Sequence, residues 1–461
     1  MRLLTIKSIT LFVFALALLS GGCAKVPHKP GFDSVRQDVS HRIGFDLYWH
    51  SGLEADDQVA ADIDGLLEQP LTEESVVQIA LLNNRRVQEF FQELGISKAD
   101  LIYAGLLRNP VFDASLLFPL DGGTTEINLG ITHQFLDIFL IPLRKKVAGS
   151  RFEEVRLQVS SKVMDLAYAA RIAFLRTQAN ARKVELLQEK LLAAELAYDL
   201  AARLRQAGNI TELALHEHRD HYEMARIRLR HAETSLNVSR EGLTRLMGIW
   251  RERTAWRIND QLPQAVAEKP DKQPDISELE SKAIESSLDL EAARQKIITA
   301  AHLAGIEDAG FLIPEIRFGA KAEKNGEWAL GPSVSLPLPL FNRGHARHHG
   351  TLNLRRQQES YTALAVEIRS IAREAGYEFE SARDIVLHYQ NVVLPLRERI
   401  VNETRLQHNA MEVGPMDLLR IKEHQLDAHL EYTAAWKNYQ IARARVEHLL
   451  SGRVPENSAW K

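Results

Sequence analysis

Residues 314–341 read PEIRFGAKAEKNGEWALGPSVSLPLPLF, and no other stretch narrows the possible folds so far. Apolar residues alternate through Ile316, Phe318, Ala320 and Ala322. A turn follows at Lys324 to Glu327, and alternation resumes through Trp328, Leu330, Val334 and Leu336. Period-two patterning broken by Asn-Gly predicts a β-hairpin. Each arm holds about ten residues, the length of a tilted strand crossing a bilayer. One apolar face and one small or polar face suit a strand between lipid and a watery interior. A soluble hairpin would carry the same local signal, so the surrounding chain has to decide.

The pattern has an earlier echo. From Pro110, Phe112, Ala114, Leu116 and Phe118 alternate, Asp121-Gly122-Gly123 turns, and Ile127, Leu129 and Ile131 alternate again. Both stretches open with Pro after a helical pattern, and both close on a similar phrase, Ile141-Pro142-Leu143 and Leu338-Pro339-Leu340.

The chain has 461 residues and a formal net charge of −4, which gives no reason to expect nucleic acid. Beyond the N-terminus no window holds about 18 uninterrupted apolar residues, the length of a membrane-spanning helix. A β-barrel would escape such a scan, because its apolar residues occupy alternate positions.

At the N-terminus Arg2 and Lys7 flank an apolar run from Ile9 to Leu19, and Ser20-Gly21-Gly22-Cys23 follows. A basic flank, a short apolar core and small residues mark residues 1–22 as a secretory signal peptide. Cys23 is the only cysteine, so no intramolecular disulfide is possible. Its setting resembles a bacterial lipobox, with Ser20 where that motif prefers Leu, and lipidation of Cys23 is expected. The other reading is ordinary cleavage nearby with a free thiol.

Residues 23–70 read as an extended arm: Pro27, Pro30, Gly31 and Gly44 oppose helix, and Trp49 is a docking aromatic. From Leu71 apolar residues recur at three- and four-residue steps, with Thr72 as N-cap, predicting a helix to Asn109. After the first hairpin (110–143), Ser150 to Ala207 contains no Pro or Gly and predicts one very long helix. Gly208-Asn209 stops it, and Thr211-Glu212 opens a return helix ending at Met247-Gly248. Residues 249–275 form a linker with Pro263, Pro270 and Pro274.

A second round follows over 276–452: a helix to about Gly310, the hairpin 314–341, a long helix from Gly344 to Met411, a break at Gly414-Pro415, and a return helix to Ser451-Gly452. Residues 453–461 are a tail. Pro110 corresponds to Pro314, Gly208 to Gly414 and Gly248 to Gly452, each offset by about 204 residues. This is a duplication of one unit, 71–248 and 276–452. Pro395 has no counterpart in the first half and predicts a kink.

The lengths constrain the assembly. Long helices of about 60–70 residues reach about 90–105 Å. The return helices match that height only if each is stacked end to end with the first helix of a repeat. That places both hairpins at one end of a rod and the tips near 208 and 414 at the other. Helices so long need partners over their apolar stripes. Four strands leave two open edges, which lipid does not tolerate. Oligomerisation cures both faults.

The order of elements, the Leu-Pro-Leu-Phe phrase ending at Phe341, Leu81-Leu82-Asn83-Asn84, Ala207-Gly208-Asn209-Ile210-Thr211-Glu212-Leu213, and Glu241-Gly242-Leu243-Thr244-Arg245-Leu246-Met247-Gly248 resemble the TolC-like outer-membrane efflux protein family over about residues 70–452. The resemblance implies a mainly α fold with a small β part: very long antiparallel helices forming an α-barrel, and two β-hairpins per chain contributing to a trimeric, twelve-stranded outer-membrane β-barrel. It also implies a homotrimer, a periplasmic adaptor protein, an inner-membrane pump, and outer-membrane lipid around the barrel.

Such a channel performs no bond chemistry; neither a phosphate-binding loop nor a defensible Ser-His-Asp arrangement is present, and no cofactor is expected. At the tips, Gly208, Asn209, Thr211, Glu212, Gly414, Asp417 and Leu418 are candidates for adaptor contact. In the family, acids after the second tip can ring the narrowest opening. Here Arg420 stands where an acid is common and Glu423 follows a turn later, so Arg420 and Glu423 are the gate candidates, as a mutual or intersubunit latch. The alternative is a solvated surface pair.

His345, His348 and His349 share one helical face and are weak metal candidates; solvated helix faces are the alternative. Asn409-Ala410-Met411, Gly414 and Leu418-Leu419 resemble branches of the family associated with copper and heavy-metal resistance. Metal cations and small organic or drug molecules both stay open as substrates. Two other functions compete: a periplasmic structural lipoprotein without a pore, and a channel secreting polypeptides.

Overall fold

The computed structural model describes residues 27–50, 52, 54–118, 120, 122, 124–258, 276–312, 316–325, 327–336 and 345–454. Cys23, the signal peptide, most of the linker, Asp121, Gly123, Pro314, Gly326 and the Leu338-Pro339-Leu340 phrase lie outside them. The first repeat and the arm before it supply α1 (Phe32–Ile43), α2 (Ala55–Glu68), α3 (Glu73–Asn83), α4 (Arg85–Ala104), β1 (Val111–Leu117), β2 (Glu126–His133), α5 (Ile141–Gln206) and α6 (Glu212–Met247). The second supplies α7 (Ile276–Ser286), α8 (Leu288–Leu312), β3 (Arg317–Asn325), β4 (Glu327–Ser335), α9 (His345–His388), α10 (Leu394–Asn409) and α11 (Pro415–Leu450). The chain is mainly α with a small β part.

Two compact units divide these elements. One holds residues up to Asp33, Gln92–Arg156 and Arg294–Glu359; the other holds Ser34–Phe91, Leu157–Ala293 and Ser360–Lys461. Each unit draws on both repeats.

The first unit carries the sheet. Its antiparallel strands run β1-β2-β3-β4, so the two hairpins join through β2 and β3. Directly paired residues share a face. Phe112, Ile131, Ala320 and Pro332 form one row across the sheet. Ala114, Leu129, Ala322 and Leu330 form the next, and Leu116, Ile127, Lys324 and Trp328 a third. The opposite face carries Asp113, Gly130, Lys321 and Gly331 in one row, and Ser115, Asn128, Glu323 and Ala329 in another. The alternation read from the sequence thus becomes one apolar and one polar face. The second hairpin turns more tightly than expected, because β3 reaches Asn325 and β4 starts at Glu327. Pro332 lacks an N–H to donate and sits on the edge strand β4, where a strand proline is tolerated.

The second unit is helical. A capping box starts α3: Thr72 N donates to Ser75 Oγ at 2.8 Å, and Ser75 N to Thr72 Oγ1 at 3.2 Å. The buried core gathers Val76 and Ile79 of α3, Phe174 of α5, Leu243 and Met247 of α6, Trp256 after α6, and Trp436 of α11. The arm expected to be extended contains α1 and α2. Val35 and Val39, one turn apart, are fully buried on one face of α1, and Gly44, in the left-handed region, ends that helix. Trp49 docks as expected, 4% exposed and 5.6 Å from the Phe91 ring.

Three predicted helices are not continuous. The helix expected over 72–109 breaks at Asn84, whose backbone is extended (φ −66, ψ 123). The one expected over 276–310 breaks at Ser287. Each breaking residue caps the helix after it: Asn84 Oδ1 accepts from Arg86 N, and Ser287 Oγ from Leu290 N. The second long helix changes to a π turn at Tyr389–Val393, directly before Leu394-Pro395. A proline cannot donate to the preceding turn and its ring crowds a carbonyl there, so the wider turn falls where Pro395 predicts an interruption.

Candidate functional site: the helical tips

The two tip turns are built alike. In the first, Gly208 N donates to Arg205 O and Asn209 N reaches back to Leu204 O at 2.8 Å. In the second, Met411 N donates to His408 O and Glu412 N to Gln407 O at 2.9 Å. Both are Schellman closures, which need a left-handed residue. Gly208 fills that place with φ +76, and Met411 with φ +64. This corrects the pairing of Gly208 with Gly414. Gly414 is extended (φ −76, ψ 161) and is the N-cap of α11, with Pro415 in its first turn. Its counterpart is Thr211, the N-cap of α6, whose Oγ1 accepts from Ala214 N at 3.2 Å. The Gly-Pro pair reads correctly as a helix start, since Pro favours the first helical position.

Gly208, Asn209, Thr211, Glu212, Gly414 and Asp417 are exposed, and Leu418 is half-buried. Met411, read from the sequence as the end of the long helix and not as a contact candidate, is 94% exposed. Arg205 donates to Glu212 across the first turn at 2.7 Å and holds that carboxyl below its ordinary range. The second turn is tied by a 3.0 Å hydrogen bond between His408 Nδ1 and Val413 O.

The helices behind the two tips touch one another. Leu229, Ala232 and Leu236 of α6 pack with Val184 and Leu187 of α5 and Leu430 of α11. Lys190 of α5, 9% exposed, reaches Asp427 of α11 at 2.5 Å. His221 Nε2 of α6 lies 3.0 Å from both carboxylate oxygens of Glu423 on α11. Burial, reinforced by the charges of Arg182 and Lys422, keeps the nearby His429 below the ordinary histidine value.

The two gate candidates do not meet each other. Arg420 donates to Asp417 at 3.1 Å along its own helix, while Glu423 turns to His221. Their spacing on one helix gave no hint that α6 would supply the partner. His348 and His349 are exposed, and the side chain of His345 lies outside the described residues. No group of three metal-ligating side chains converges among the described residues.

No protein-family model and no curated protein matches the chain. Solved structures do. The Campylobacter jejuni CmeC outer-membrane channel matches with a TM-score of 0.67 at 14% identity, over 87% of this chain and 89% of that one. The open state of the Neisseria gonorrhoeae MtrE outer-membrane channel matches with 0.64 at 18% identity, over 84% and 91%. The outer-membrane channel OprN matches with 0.63 at 13% identity, over 94% and 98%. At such low identity the likeness speaks for the backbone, and the chain therefore has the TolC-like fold of these outer-membrane channels.

Proposed function

We propose that the chain is one subunit of an outer-membrane efflux channel, a passive water-filled duct gated at its periplasmic helical tips. The sheet carries this reading. Its apolar face is bare: Phe112, Leu116, Ile131, Trp328 and Leu330 are 51–81% exposed. A soluble protein covers such a face, whereas lipid accepts it. The opposite face carries Asp113, Lys321 and Glu323, as a water-filled interior requires. Both edges, β1 and β4, are unpaired among the described residues, and membranes forbid open edges. Sister subunits would close the barrel, three copies giving twelve strands, with the long helices walling the duct beyond it.

In this reading the tip turns meet a periplasmic adaptor that links to an inner-membrane pump. The His221–Glu423 and Arg420–Asp417 pairs hold the resting arrangement of the tip. The exported solute is a metal cation or a small organic molecule, and Cys23 carries a lipid anchor. The test is a planar-bilayer recording on the purified full-length protein. Discrete conductance steps are expected. Protein that inserts into vesicles yet conducts nothing would transfer the chain to the class of structural lipoproteins.

A further inference from the structure

Within the first unit, α4, α5 and α8 enclose a recess of about 650 Å³. Its walls combine Tyr103, Leu107 and Ile306 with three arginines, Arg108, Arg144 and Arg151. The function proposed above does not use it. Two of the arginines converge on the buried Asp137: Arg144 Nη2 at 2.8 Å and Arg108 Nε at 3.6 Å. Arg108 also donates to Gln134 Oε1 at 3.2 Å, and Asp100 is the one carboxylate among the described lining residues, while Arg151 is exposed on the next turns of α5. Nε of Arg144 is buried without a hydrogen-bond partner among the described residues. Lys145 and Lys146, beside Arg144, are exposed as well. The recess therefore offers guanidinium donors beside apolar walls, which is the chemistry of a bound anionic amphiphile.

Its place in the chain identifies the source. Arg108 stands three residues before β1 begins, and Arg144 follows β2 through a single 3-10 turn, Phe135–Phe139. In that turn Phe135, Ile138 and Phe139 are 52–64% exposed, as is Tyr103 at 75%. Exposed aromatics flanking a membrane-spanning sheet mark the headgroup level of the bilayer, and basic recesses there take acidic lipid headgroups. We infer that this recess binds the phosphate of an anionic phospholipid on Arg108, Arg144 and Arg151, with an acyl chain along Tyr103 and Leu107. The inference rests on the sheet crossing a membrane.

Native mass spectrometry of the full-length protein in mild detergent tests it, with phosphatidylglycerol or phosphatidylcholine of matched acyl chains titrated in. One phosphatidylglycerol per chain should be retained in preference to phosphatidylcholine. Arg151→Gln, an exposed change, should weaken that retention about fivefold, and adding Arg108→Gln by about fivefold again. Phosphatidylcholine retention should not change. Equal retention of the two lipids, or retention indifferent to both substitutions, would overturn the site. So would a photo-crosslinker at Leu107 that captures a second copy of the chain in place of lipid. Bilayer recordings on the same preparation separate the failures: conductance without lipid preference removes the recess alone, whereas loss of both removes the channel reading with it.

Discussion

The two repeats make the same joint with different chemistry. In each, a return helix ends in a left-handed glycine that presses on the break in the first helix of its own repeat. At the first joint the fastening is neutral. Asn83 Nδ2 donates to Met247 O and Gly248 O, Asn84 Nδ2 donates to Leu246 O at 2.8 Å, and no carboxylate takes part in these contacts. At the second joint the fastening is ionic. Arg453 forks onto Asp165 of α5, through Nε at 2.9 Å and Nη2 at 2.6 Å, and its Nη1 meets Asp289 of α8. Arg42 of α1 adds donors to Ser286 O at 2.7 Å and Ser451 O at 2.8 Å. A duplicated backbone has kept its geometry while its side chains diverged, so geometry is the constraint and the fastening is free to vary.

The sharpest way to break that comparison is to remove one fastener from each joint. Arg453→Met takes the guanidinium from two half-buried carboxylates, leaving Asp165 with His448 and Asp289 with Val454 N, and a lost partner in such a pair costs about 3 kcal/mol. Asn84→Ala removes the donor to Leu246 O and the cap on Arg86 N, both uncharged contacts, at about 1–2 kcal/mol. Denaturant unfolding in detergent should rank them in that order; equal costs would mean that the charges add nothing to the second joint. The glycines come next. A Cβ on Gly452 would collide with Ser286 O at φ +104, whereas one on Gly248 would stand 3.0 Å from Asn83 O at φ +68. Gly452→Ala should cost about 3 kcal/mol and Gly248→Ala nearer 1–2 kcal/mol. The same measurement checks this, and a reversed order would show that the second joint yields where the first cannot.

Acid should separate the joints further. Burial pushes the Asp165 carboxyl up, but hydrogen bonds from His448 and Arg453 outweigh it and hold it below 3.8. Burial also pushes Asp289 up, and there the charge of Arg453 does not overcome it. A raised carboxyl takes up protons more readily in the folded state, so its contribution grows as pH falls toward 3.8. A lowered one is stabilising above 3.8, and that contribution is lost as pH falls through its folded value. On acidification the second joint should therefore first gain stability from Asp289 and then lose that of Asp165. Hydrogen exchange at Leu288 N, which donates to Gly452 O, should show it after correction for intrinsic rates. A monotonic fall in protection from neutral pH downward would contradict the assignment.

Much of this was legible beforehand, and what escaped has physical reasons. The strands were readable because period-two alternation is local, and the register of the four-stranded sheet kept the alternating positions that fall within β1–β4 on one face. The helix breaks at Asn84 and Ser287 were not, because the apolar periodicity continues across them. The available signal was the capping residue itself: Asn83-Asn84 and Ser286-Ser287 are poor interior residues and good N-caps. The partners of Glu423 and Lys190 lie on helices 202 and 237 residues away in the chain, beyond any spacing argument.

The tips carry the comparison to its smallest effect. Both turns close through a left-handed residue, yet only the first uses glycine. A side chain in that conformation costs about 1 kcal/mol. Met411 bears this strain while 94% exposed, so packing does not repay it. Met411→Gly should therefore stabilise the tip by about 1 kcal/mol, read as slower local hydrogen exchange at Glu412 N. If the turn existed only to join α10 to α11, nothing else would change. The proposed function expects otherwise: an exposed, flexible thioether is a contact group for an apolar partner surface. The glycine variant should then hold its adaptor more weakly while its isolated tip is firmer, and a variant that gains stability with undiminished adaptor binding would remove Met411 from that contact.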